Sequence, residues 1–223
     1  MSSRRMIISL LGSESIEAIL AEVKLLPSRR ILSSLIAALF HTDDRIRWHA
    51  VSALGFVVAR LAGEDMEAAR AVVRRLMWSL NDESGGVGWG APEALAEIMA
   101  NHEGLATEYA YMLTACMREG GFCLELPALQ RGLMWGIGRL AGTRPDLLRA
   151  GEAPALLLPY LASDDPEVRG LAARALGLLR ADGAKERIAA LTNDRAEISL
   201  YERGELHKTT VGRLAEEALG RLA

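Results

Sequence analysis

Cysteine, lysine and aromatic residues are all scarce in this chain of 223 residues, the aromatics making up only 5%. The two cysteines, Cys116 and Cys123, are too few for the disulfide framework of a small secreted protein. No further Cys or paired His stands near enough to complete a zinc pattern, so no metal and no cofactor is expected. Lysine occurs only at 24, 185 and 208, which excludes a P-loop, and Gly86 to Gly90 lacks the strand-turn-helix setting of a dinucleotide fingerprint. No apolar run approaches the roughly 20 residues of a membrane span, and the segment from Met1 to Gly12 is short of a signal-peptide core. A cytoplasmic location follows as the expectation. Net charge is −3, which argues against a general nucleic-acid binder, because such affinity comes mostly from neutralising phosphates.

What the chain has in quantity is periodicity. A large apolar residue followed by a small one closes a helical segment at Leu54-Gly55, Leu95-Ala96, Ile137-Gly138, Leu176-Gly177 and Leu219-Gly220, at spacings of 41, 42, 39 and 43 residues. Before most of these pairs comes an acidic turn and then apolar residues at i, i+3, i+4 and i+7. The clearest copy, Ser163 to Gly177, offers an Asp to cap the helix, Pro166 for its first turn and Glu167 for its positive end. An earlier helix precedes each copy, at about 29–40, 66–80, 105–119, 153–161 and 185–191. The repeating unit is therefore two antiparallel helices. Ser13 to Leu26 adds a leading helix that reads as an N-terminal cap.

Such units bury their apolar faces only against each other. The expected fold is an all-α, right-handed α-α superhelix of about five helical pairs, forming a single domain over 1–223. One segment, Ala196 to Val211, breaks the helical period; Ile198, Leu200, Tyr201, Leu206 and two threonines predict two short strands around Glu202-Arg-Gly-Glu205. The hairpin falls between the helices of the last pair, and its edge is a place for a partner strand to add.

Asp164 to Leu179, Asp-Asp-Pro-Glu-Val-Arg-Gly-Leu-Ala-Ala-Arg-Ala-Leu-Gly-Leu-Leu, resembles the HEAT-like repeat of the phycobilin lyases and of many non-photosynthetic bacterial proteins. The resemblance extends from about Arg29 to Ala223, and Thr210 to Leu219 is similar to the terminal unit of such proteins. It implies the fold and leaves the activity open, since members include bilin lyase subunits and scaffolds. Only signature residues match, so the resemblance supplies no catalytic residue.

Aligning the units on the apolar-small pair places residues in columns. One column holds Trp48, Trp89, Arg131, Gly170 and Arg213; another holds Ser52, Glu93, Trp135, Arg174 and Glu217; a third holds Arg47, Gly88, Gln130, Arg169 and Gly212. All four tryptophans fall in the first three units. These positions predict a protein-interaction scaffold whose concave groove of Arg47, Trp48, His49, Glu83, Trp89, Glu93, Gln130 and Trp135 binds a peptide or protein, using residue types common at binding hot spots. The alternative is a small-molecule or lyase-like pocket at the Gly-rich loop 84–93, where glycines permit close approach and Pro92 opens a helix. A third arrangement is a regulatory subunit that associates through the hairpin. Catalytic residues are expected in none of these positions; Glu93 and Glu97 read as a solvated ridge and the cysteines as structural thiols.

Overall fold

The computed structural model describes residues 3–13, 15–81, 88–118 and 123–223. Among them the fold is all-α except for one two-stranded sheet. Helices run α1 (Ser3–Leu11), α2 (Ile16–Leu25), α3 (Ser28–Ala38), α4 (Asp44–Glu64), α5 (Met66–Trp78), α6 (Ala91–Asn101) and α7 (Glu103–Ala115). They continue as α8 (Pro127–Ala141), α9 (Pro145–Ala150), α10 (Ala153–Leu157), α11 (Pro166–Leu178) and α12 (Lys185–Ala189). The hairpin of β1 (Glu197–Glu202) and β2 (Glu205–Thr210) and then α13 (Val211–Arg221) complete the order. None of the helices among the described residues is long and apolar enough to cross a membrane.

The helical pairs and the hairpin between the last two helices match expectation. Three local features do not. The leading cap is two helices, because α1 carries Ile7 and Leu11 as fully buried anchors that a short run beginning with arginines did not advertise. The helix expected at 153–161 is split: α10 ends at Leu157, and a 3-10 turn continues through Leu158–Ala162, where Pro159 removes a backbone donor. Pro145 also opens a short extra helix, α9.

The chain groups into two compact units: Met1–Leu105 with Tyr201–Leu206, and Ala106–Leu200 with His207–Ala223. In unit 1 the core is built from Ile7, Ile19, Ile31, Leu35, Leu54, Leu61 and Ile98. Arg60 ties the first helices together: it donates to Ser28 Oγ and to the carbonyls of Val23, Lys24 and Leu26, neutralising the negative end of α2. In unit 2 the acidic turns serve two purposes. Asp165 caps α11 by accepting from the N–H of Glu167 and Val168 through Oδ1, and its Oδ2 accepts from Arg131 at 2.7 Å. Asp194 repeats this, accepting from Ala196 N–H and, at 2.7 Å, from Arg169, which holds its carboxyl below the usual range.

The small residue of the repeat pair marks the seam where second helices touch. A Cβ on Gly177 would lie 2.5 Å from Ala218 Cα of α13, and one on Gly55 would lie 2.5 Å from Glu97 Cγ of α6. At Gly138 the neighbour is the Arg174 guanidinium of α11, at 3.3 Å. Gly220, in the last pair, meets nothing within 4 Å. At Gly177 and Gly55 the pattern read as a helix signature is thus a packing code: the small residue stands where a neighbouring backbone comes close.

Candidate functional site

The polar and aromatic residues of α4 sit at its first two turns. Asp43 caps the helix, its Oδ1 accepting from Arg45 and Ile46 N–H at 2.9 and 3.2 Å. Arg47, Trp48 and His49 follow at once. The Arg47 guanidinium lies 5.7 Å from the Trp48 ring centroid and donates from Nη2 to Asp44 Oδ1 at 3.0 Å. Its buried Nε–H has no hydrogen-bond acceptor among the described residues, and the indole face lies beside it.

The tip of the hairpin docks on this surface. Tyr201 stacks on Trp48 with ring centroids 4.7 Å apart and planes 13° from parallel, an offset geometry that adds about 0.5–1.5 kcal/mol to the area buried. Ser52, one turn further along α4, shares a hydrogen bond of 2.9 Å with the Tyr201 hydroxyl. Burial pushes the phenol up to about 12, and Glu97 and Glu17 add to the rise against the Ser52 bond.

His49 is the most enclosed member, only 1% exposed. Its Nδ1 is 2.8 Å from the carbonyl of Leu11 and its Nε2 is 3.2 Å from the carbonyl of Gly204. A neutral imidazole donates to one of these oxygens and the cation donates to both. The hairpin turn is equally constrained. Arg203 and Gly204 have φ of 52° and 86°, the signature of a two-residue I′ turn. A side chain at Gly204 would also strike Ile16, with Cγ2 2.3 Å from the added Cβ.

The predicted site residues are distributed accordingly. Arg47, Trp48 and His49 come together on α4. Trp48 is 7% exposed because Tyr201 covers it, and Trp135 of α8 is 6% exposed within unit 2, so neither offers an open ring. Glu93 is also buried, at the first turn of α6, where Gly90 with φ 73° caps and Pro92 opens the helix; it is not part of a solvated ridge. Trp89 is 42% exposed. Gln130 lies half-buried on α8 in unit 2. Glu83 and positions 84–87 of the proposed Gly-rich pocket lie outside the described residues. Among the described residues no group of three or more His, Cys, Asp or Glu is placed to hold a metal ion.

Tyr201, Gly204 and Leu11 complete the site and were not predicted for it. The available signal was an aromatic residue and a glycine in the segment that breaks the helical period.

Residues 127–179 match the HEAT-like repeat family. The match is to the repeat and brings no lyase activity with it. Over 113 residues the chain is 34% identical to an uncharacterised protein of Archaeoglobus fulgidus, an alignment covering 49% of this chain and 53% of that protein. The chain thus spans about half the length of the curated relative it matches. Among solved structures, an engineered protein aligns over 100% of this chain and 97% of its own at 20% identity and a TM-score of 0.56. A designed armadillo repeat protein in complex with the peptide (KR)4 aligns over 100% of both chains at 17% identity and a TM-score of 0.55. These likenesses are of fold.

Proposed function

We propose that the protein is a binding scaffold whose α4 surface, built on Arg47, Trp48, His49 and Ser52, recognises an extended segment bearing an aromatic residue. The observation that carries this reading is the Trp48–Tyr201 stack, in which α4 already takes such a segment, held by ring, hydroxyl and backbone carbonyl together. A repeat fold used by a designed armadillo protein to hold a peptide supports the same class of function. Trp89, just before the start of α6, is a further partly exposed aromatic residue of unit 1. A partner peptide or protein engages α4 by displacing the hairpin tip, so the free chain carries its own competitor.

A synthetic peptide with the tip sequence Ser199 to Lys208 tests this. It is added to the intact chain and to a full-length variant in which Tyr201 and Leu206 are replaced by serine. The proposal expects saturable binding to the variant, loss of that binding when Trp48→Ala is added, and much weaker binding to the intact chain. Equal binding to all three, or none to a variant whose circular dichroism shows it folded, would sink the proposal.

A further inference from the structure

Unit 2 contains both cysteines of the chain. Cys116 follows α7 directly, with its N–H donating to the Met112 carbonyl at 3.1 Å, and is 3% exposed. Cys123 is half-buried, and both are free thiols. The N–H of Leu124 donates to the carbonyl of Cys116 at 3.1 Å, which brings the two cysteines' backbones side by side. Drawn straight, the path from one Cα to the other through that bond is at most about 8 Å. The bends at the carbonyl and at the amide shorten it toward the Cα separation of disulfide-bonded pairs, about 4.4–6.8 Å.

A second observation agrees. Burial pushes the Cys116 thiol up to about 11, and Cys123 adds to the rise. The same burial makes Cys116 a poor first nucleophile and leaves the more accessible Cys123 to begin any exchange.

We propose that Cys116 and Cys123 form a reversible intramolecular disulfide, a modification site for small-molecule disulfide oxidants of the glutathione class. Cys123 loses its proton to solvent and its thiolate attacks one sulfur of glutathione disulfide. The S–S bond of the oxidant breaks and one glutathione thiolate leaves. Cys116 then gives up its proton, and its sulfur attacks that of Cys123, forming the protein disulfide and expelling the second glutathione. Two protein thiols are oxidised and one glutathione disulfide is reduced to two thiols. The cross-link ties the end of α7 to the segment that leads into α8.

The test is equilibration of the full-length chain with glutathione–glutathione disulfide mixtures, followed by acid quench, alkylation under denaturing conditions and intact mass. The expected result is a loss of about 2 Da with both alkylation sites disappearing together at one redox ratio, and full return on adding dithiothreitol. Cys116→Ser should stop at a glutathione adduct on Cys123, and Cys123→Ser should leave Cys116 alkylatable. A wild-type chain that accumulates the glutathione adduct on Cys123 while Cys116 remains alkylatable, or that keeps both thiols across the whole range, overturns the proposal.

Discussion

In unit 2, second helices meet through small residues and through arginines that reach the acid of the next turn: Gly177 against Ala218, Arg131 to Asp165, Arg169 to Asp194. In unit 1, α4 shares one such seam, Gly55 against Glu97, but its first turns are completed by a segment 149 and 155 residues away in sequence. The first kind of contact is made by positions that recur with the repeat. The second is made by Trp48, His49, Ser52, Tyr201 and Gly204, each present once in that arrangement. Repeated positions therefore build the stack, and the unrepeated ones join α4 to the hairpin tip.

The largest expected effect lies at a seam. Gly177→Ala forces a Cβ into α13 backbone and should lower unfolding free energy by about 3 kcal/mol, whereas Gly220→Ala fills open space and should raise it by about 0.5–1 kcal/mol through helix propensity alone. Chemical denaturation of the two variants separates them, and effects of the same sign would break the packing-code account.

Next is the tip. Tyr201→Ala removes a ring that is 5% exposed together with the Ser52 bond, and should cost about 3 kcal/mol. Hydrogen exchange would show the loss at the amides of α4's first turns while those of α11 keep their protection. Gly204→Ala, strained at positive φ and against Ile16, should reproduce this at about 2 kcal/mol.

A pH experiment sharpens the same contrast. The Tyr201 phenol is raised from 10.0 to about 12 in the folded chain. Its contribution is therefore fully present below about pH 10 and is lost as pH rises toward 12, on the order of 2 kcal/mol in all. Tyr201→Phe should flatten the stability profile across that window relative to the parent. An unchanged slope would place the hydroxyl in water.

The smallest effect is at an Arg–Asp pair. Asp194→Asn weakens the Arg169 contact but keeps a hydrogen-bond acceptor, and should cost about 1 kcal/mol. Because Arg169 holds the Asp194 carboxyl below its usual range, the parent should lose this increment as pH falls through and below about 4, while Asp194→Asn stays level there.

Most of the stack was legible in the sequence because its causes are periodic. Asp165, Pro166 and the Leu176-Gly177 pair announce a capped helix with a close neighbour, and the structure has both. The hairpin was legible too, since Arg203-Gly204 is a natural two-residue turn between β-prone residues. The α4 site was half legible: Arg47, Trp48 and His49 stood out by type and column. Their burial did not, because it depends on Tyr201 arriving from a segment that no local pattern pairs with α4. The same limit applied to Glu93, whose place on the buried face of α6 is set by packing and not by its spacing from Glu97.

The central claim, that the hairpin tip occupies α4 as a ligand would, is tested most directly by the fluorescence of Trp48. The component lost in Trp48→Phe is compared between the parent and Tyr201→Ala, with acrylamide as quencher and circular dichroism as the check on folding. The account predicts a blue-shifted, protected signal in the parent and a red-shifted, quenchable one in Tyr201→Ala with helix content unchanged. A Trp48 signal that is the same in both chains would contradict it.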